Sequence, residues 1–187
     1  MTRPSPAEVA ARYNALALSE GWHSICSPAS RFERAELDDV MAIWRAHARG
    51  RAIPSRRALT PQAMRSHLAD IAIYERIGAE GKTRRYRVRV MGARFSSVLG
   101  NLNGRYFDEA VPPAHLKRWR AAPDAALEAL APLRFVSRTE TAGKDFITGE
   151  YLLAPMLGDG GRADCVLAAG AFGPTVMAQR PGGVTAA

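Results

Sequence analysis

Long apolar runs are missing from this 187-residue chain. Nothing approaches the roughly 18 consecutive apolar residues that a membrane-spanning helix needs. The opening stretch Met-Thr-Arg-Pro-Ser-Pro-Ala-Glu also lacks the apolar segment of an export signal. No membrane partner is expected, and a cytoplasmic location is. Cysteine is equally scarce. Cys26 and Cys165 lie far apart and fit no metal-ligand spacing, which predicts reduced thiols rather than a disulfide or a zinc site. The four histidines, His23, His47, His67 and His115, pair neither with these cysteines nor with each other at ligand spacing, so no metal site is expected. There is no phosphate-binding Gly-rich loop and no G-x-S-x-G nucleophile elbow. Ser96, Ser97 and Ser137 have no readable histidine and carboxylate partners, and the expectation is a chain without enzymatic activity.

Lysine is nearly absent too. Only Lys82, Lys117 and Lys144 stand among 26 basic residues, and the net charge is +8 with a pI near 10.2. Such a balance invites a nucleic-acid reading, in which affinity would fall steeply with salt. The arginines, however, are spread along the chain rather than gathered on one element. Together with the abundant alanine they fit a GC-rich coding sequence, so nucleic acid stands as an alternative partner only. The basic loop Arg49–Arg57 could suggest phosphate recognition. Its Arg51 and Arg56 are one residue too far apart for an Arg-x-x-x-Arg cyclic-dinucleotide motif, and a solvated basic loop is the simpler reading.

What is present is a hydrophobic content of 47%, enough for a buried core in one domain with extensions. Val9, Tyr13 and Leu16 form an i, i+4, i+7 stripe behind Ser5-Pro6, predicting a helix over 6–18 that packs on its own domain or on a second copy. Residues 21–31 read as a linker with room for a short strand. Leu37, Val40, Met41, Trp44 and Ala48 share one helical face, stopped at Gly50. Thr60-Pro61-Gln62 predicts a short helix with Met64 and Leu68 on one face. Residues 71–77 and 86–91 predict an antiparallel pair joined by the Gly78–Lys82 loop. Phe95, Val98 and Leu99 predict a two-turn helix ended by Gly100. Residues 112–130 predict a helix interrupted at Pro123, with Leu116 and Trp119 on one face. Three strands follow, at 132–142, 146–157 and 163–173, with hairpin loops at 141–145 and 158–161. The small residues Ala168-Ala169-Gly170-Ala171 would let a helix or ligand approach the sheet closely. The result is an α+β fold: a five-stranded antiparallel sheet, helices inserted between its second and third strands, and N-terminal helices, with the helical cluster over one face.

Trp44 with Arg49–Arg56, the strand after Leu68, Tyr-Arg-Val-Arg-Val-Met-Gly (86–92) and Gly-Asn-Leu-Asn-Gly-Arg-Tyr-Phe-Asp-Glu (100–109) together resemble a PAS domain, of the small stand-alone bacterial kind. The resemblance divides the chain into an N-terminal helix and linker (1–32), a PAS-like domain (33–174) and a frayed tail (175–187). It implies a signalling or regulatory module that acts through protein–protein contact with a signalling protein, modulated by an unidentified small ligand. No fixed cofactor is expected. The stripe at Val9, Tyr13 and Leu16 would then be a homodimer or partner contact. A cavity between helices and sheet would be lined by Phe95, Leu99, Tyr106, Phe107, Leu116, Trp119, Phe135 and Met156, unless these only fill the core. Haem-binding members place an axial histidine on a helix equivalent to that of His115, but His115 sits near a helix start beside Lys117 and Arg118, which points to the surface. Light-sensing members carry a flavin-reactive cysteine in an Asn-Cys-Arg-Phe-type motif. The stretch from Ser96 to Phe107 has none.

Overall fold

The computed structural model describes residues 3–78, 84–138 and 147–174. The helix α1 (Pro6–Ser19) starts on a capping box: the Ser5 hydroxyl accepts from the Glu8 amide at 3.3 Å, and the Glu8 carboxylate accepts from the Ser5 amide at 2.7 Å. Next come β1 (Ser24–Pro28) and α2 (Ala35–Ala48). Strands β2 (Ile71–Ile77) and β3 (Arg85–Met91) precede three helices, α3 (Ala93–Leu99), α4 (Phe107–Ala110) and α5 (Pro113–Ala129). Strands β4 (Leu133–Arg138), β5 (Ile147–Leu157) and β6 (Ala163–Pro174) complete one sheet in the order β1-β4-β5-β6-β2-β3, with every neighbouring pair antiparallel.

The five expected strands are all there, and the linker region adds a sixth. β1 pairs along β4 from Ser24↔Ser137 to Pro28↔Leu133. The Asn14 side chain completes it from the helix side, accepting from the Cys26 amide at 2.7 Å and donating to the Cys26 carbonyl at 2.9 Å. An edge strand's unpaired backbone groups are thus satisfied by a side chain of α1. At the opposite edge, β3 is covered by the 101–106 segment. Val88 donates to Arg105 and accepts from Gly104, and the Asn103 amide group bonds both backbone groups of Met91. Gly104, at φ 76°, makes that turn possible.

The helical cover lies on both faces of the sheet rather than one. Leu152, Ala154 and Met156 of β5 and Cys165, Leu167 and Ala169 of β6 pack against α2 and the segment from Ile53 to Met64. Leu153, Val166 and Ala168 face α1, α4 and α5. Strands buried on both faces carry apolar residues at successive positions, not at alternate ones. On the α2 face, the Trp44 indole donates to the Pro155 carbonyl at 3.0 Å.

Two helix boundaries differ from expectation. Residues 61–67 form consecutive turns, with mostly i→i+3 bonds such as His67 to Met64 at 2.8 Å, and lead into a 3-10 turn at Leu68–Asp70. Met64 is buried while Leu68 is 41% exposed, so they share no face. Helix α5 runs unbroken through Pro123, whose ring is buried. The helix gives up one backbone bond there, and tertiary packing holds it together. The 78–82 and 141–145 loops lie wholly or almost wholly outside the described residues. The strand ends at 139–142 and 146 and the tail from 175 lie wholly outside them.

The basic loop is an internal clamp. Arg56 bonds both carboxylate oxygens of Asp159 at 2.7 and 2.8 Å, and Arg57 Nε reaches Oδ1 at 2.9 Å, tying the loop to the β5–β6 hairpin. These bonds, Arg56's first, hold the Asp159 carboxyl below its ordinary value of 3.8. A depressed folded-state pKa contributes stability that is present above 3.8 and lost as pH falls through the folded value. Urea unfolding of Asp159→Asn should therefore show less stability than the parent at neutral pH, with the difference vanishing in acid. Because the pair is exposed, the difference should also shrink in high salt.

Candidate functional site

The face of α5 that meets the sheet presents His115, Arg118, Trp119 and Ala122, an i, i+3, i+4, i+7 set. Opposite stand Tyr74 from β2, Ala168 from β6, Tyr151 and Leu153 from β5, and Phe135 from β4. Phe95 and Leu99 of α3 close one side, and Tyr13 of α1 closes the other. Between them lies a cavity of about 490 Å³. That falls within the roughly 300–1,000 Å³ of small-molecule sites.

The small residues of β6 set its depth. Phe95 lies over Gly170, where an added Cβ would stand 2.9 Å from its ring. The Phe95 ring meets Phe172 edge-on at 5.5 Å and Tyr151 at 6.2 Å. Tyr13 meets Phe135 edge-on at 5.0 Å, and its hydroxyl hydrogen-bonds the Ser24 hydroxyl at 2.9 Å. Burial pushes the Tyr74 and Tyr13 phenols up from their ordinary range, so both remain neutral hydroxyls. The polar lining is Ser24 and Ser137, paired across β1 and β4, Arg138 next along β4, His115 and Arg118 on the first turns of α5, and the tyrosines Tyr13, Tyr74 and Tyr151. Exposed Pro112 and Arg138 mark the mouth, and the aromatic groups line the interior.

A family model described as PAS domain matches residues 32–170, well over half of the chain. The chain belongs to the PAS domain family. PAS domains are sensory and signalling modules, and this PAS chain carries the corresponding sheet and helical cover. Among solved structures it is similar to that of an RNA-binding light-oxygen-voltage receptor, at 15% identity and a TM-score of 0.43 over 80% of this chain. It spans 38% of that receptor's chain, and the likeness is too distant to carry an argument. No curated protein matches the sequence.

Of the eight residues expected to line the PAS cavity, Phe95, Leu99, Trp119 and Phe135 do so. Phe107 is fully buried one layer behind, stacked on Tyr86 at 5.4 Å and meeting Tyr74 and Trp119 edge-on at 5.1 and 5.3 Å. Tyr106 caps α4 beneath the Arg85 guanidinium, 3.8 Å from its ring centroid. Arg85 also bonds Asp108 and Glu109, and holds the Asp108 carboxyl below its ordinary value. Leu116 faces away, into a groove between α1 and α5. Met156 lies on the α2 side, because it shares strand parity with Leu152 and Ala154. Val9 and Tyr13 are turned into the chain's own core, and Leu16 lines the α1–α5 groove. His115 is half-buried at the cavity mouth.

Neither cysteine reaches the cavity. Cys26 packs in the core beside α1, and Cys165 lies on the α2 face. Burial pushes both thiols up to about 12. A disulfide-based thiol reagent should leave both unmodified in the folded protein at mildly alkaline pH and titrate both in denaturant. Modification of the native protein would show that one of these strands opens. Among the described residues no group of three His, Cys, Asp or Glu side chains could hold a metal, and no helix is long and apolar enough to cross a membrane.

Proposed function

We propose that this PAS protein is a non-enzymatic sensory module, whose input is a small molecule seated in the α5–sheet cavity and whose output is a change in protein–protein contact. The observation that carries the reading is the cavity itself, about 490 Å³ beneath an aromatic wall and open at a mouth. Small-molecule sites are clefts of this size, lined mainly by apolar and aromatic side chains with a few polar groups. The reading of output rests on α5. One face of this helix lines the cavity through His115, Arg118 and Trp119, and the other lines the groove with α1 through Leu116, Lys117 and Arg120. Tyr13 borders both. A guest that shifts Trp119 would therefore shift the groove as well.

Haem is the second reading, favoured by the position of His115 on the cavity face. His115 would be the axial ligand, and the aromatic wall would flank the ring. A Soret band in the purified protein, lost in His115→Ala, would establish it. Native mass spectrometry of protein taken from its own cytosol tests the leading reading and reports oligomeric state in the same spectrum. A non-covalent guest of a few hundred daltons, released on denaturation, is expected. A bare chain mass, together with no thermal stabilisation by a metabolite extract, would overturn the proposal.

A further inference from the structure

We infer that the cavity selects an organic anion: a molecule with a flat or hydrocarbon body and a single carboxylate-like group at one end. The inference rests on the cavity being a ligand site, and adds the chemistry of the ligand. Two features of the lining carry it.

The first is segregation. The inner wall contributes Tyr74, Tyr151, Phe95, Phe135, Leu153 and Ala168, and apart from the Tyr74 and Tyr151 hydroxyls it offers a guest only apolar surface. The serines and charged groups come from the β1–β4 pair (Ser24, Ser137, Arg138) and from the first turns of α5 (His115, Arg118), and Arg118 lies close enough to the Tyr13 phenol, itself bonded to Ser24, to act on it. A guest that satisfies both ends is itself polar at one end only. A small polar solute would leave the aromatic wall unfilled, and a wholly apolar one would strip water from the arginines without replacing it.

The second is sign. The charged side chains lining the cavity are Arg118 and Arg138, His115 lines it as well, and among the described residues no carboxylate does. Outside the cavity, Arg12, Arg56, Arg57, Arg76, Arg85 and Arg87 each have a carboxylate within 4 Å. Arg138 has no ion-pair partner among the described residues and stands at the mouth. Arg118 is engaged in an interaction of its own, but a guanidinium carries five donors, enough to keep that contact and still bind a carboxylate. Ser24, whose hydroxyl is bonded to that of Tyr13, can turn its own proton to a guest when Tyr13 is the donor of that bond, whereas the Ser137 hydroxyl donates to the Arg138 carbonyl. Guanidinium groups at the rim of a low-dielectric cleft attract anions and orient them head outward, so that the body enters the aromatic interior.

The test is calorimetric titration of the full chain with 4-phenylbutyrate and indole-3-acetate, each compared with its primary amide, which keeps the shape and removes the charge. Each acid should bind at least about ten-fold tighter than its amide. The surface variant Arg138→Gln, and Arg118→Gln where it folds, should weaken acid binding by about ten-fold and leave amide binding within about two-fold. Equal affinity for acid and amide would overturn the anion inference while leaving the ligand site standing. An acid preference that survives both arginine substitutions would overturn it as well. Failure of all four compounds to bind would overturn the cavity reading and this inference together.

Discussion

Replacing Gly92 with alanine is expected to cost about 3 kcal/mol or more, lowering the melting temperature by roughly 6–12 °C. Gly92 sits at the entry to α3 with φ −69° and ψ 162°, values that any residue adopts, so the backbone does not demand glycine there. The demand comes from its neighbours. A Cβ would collide with the Leu68 carbonyl oxygen and stand 2.5 Å from the carbonyl carbon and oxygen of Ala69. Both partners are backbone and both are fixed: the Gly92 amide donates to Ile71 at 2.8 Å, where β2 begins, and the 3-10 turn is pinned by the ion pair of buried Asp70 with Arg94. Gly160 is the control. It has open space for a Cβ and no positive φ, so Gly160→Ala should fall within about 0.5 kcal/mol of the parent. If thermal unfolding puts both variants together, α3 does not dock on residues 68–70 as described.

Glu150→Ala should be of comparable size, about 3–5 kcal/mol. Glu150 lies in β5 and is only 7% exposed. Its Oε1 accepts from the Glu33 amide at 3.0 Å and from Arg134 Nε at 2.5 Å, and its Oε2 accepts from the Arg34 amide at 3.0 Å. One carboxylate therefore joins β4, β5 and the chain just before α2, a helix with no side-chain N-cap of its own. Truncation strands two backbone donors and leaves the mostly buried Arg134 guanidinium with the exposed Glu33 carboxylate, at 3.1 Å, as its partner. Glu150→Gln keeps an acceptor but turns an amide donor toward other donors, so its loss should lie between parent and alanine. Denaturant titration gives the magnitude, and faster hydrogen exchange across residues 33–48 gives the location. An unchanged exchange pattern in α2 would contradict the anchoring role.

The strands β2 to β6 were legible from their apolar runs and the turn residues between them, with clean alternation in β3. A helical spacing of apolar residues likewise marked the buried face of α2. What the sequence concealed has specific causes. Strand β1 is short and half polar, with Ile25 pointing outward at 66% exposure, and only the Asn14 side chain and the β4 register make it a strand. Cover on the second face was present in principle in Leu152–Met156 and Cys165–Ala171, which are apolar without interruption. Helix α5 misled more deeply. Apolar periodicity assigns Leu116 and Trp119 to one buried face, but the face on the cavity is His115, Arg118, Trp119 and Ala122. A cationic residue at a cavity wall reads as solvent-facing in any hydropathy pattern, so Arg118 carried no signal as a lining residue. Tyr151 was hidden for a different reason, because strand parity could be assigned only once the register with β4 was known, whereas Ala168 belongs to the run of small residues that marks β6 as open to close approach.

The proposed function stands on the space under α5 being open and able to take a guest. Ala168, fully buried at the cavity floor, tests it by the sign of one stability change. Ala168→Leu adds hydrocarbon into the cavity. If the space is open, unfolding of the ligand-free protein should show unchanged or increased stability, and the guest seen by native mass spectrometry should be lost. A loss of about 1–3 kcal/mol, the usual cost of overpacking a filled core, with guest binding intact would contradict the account.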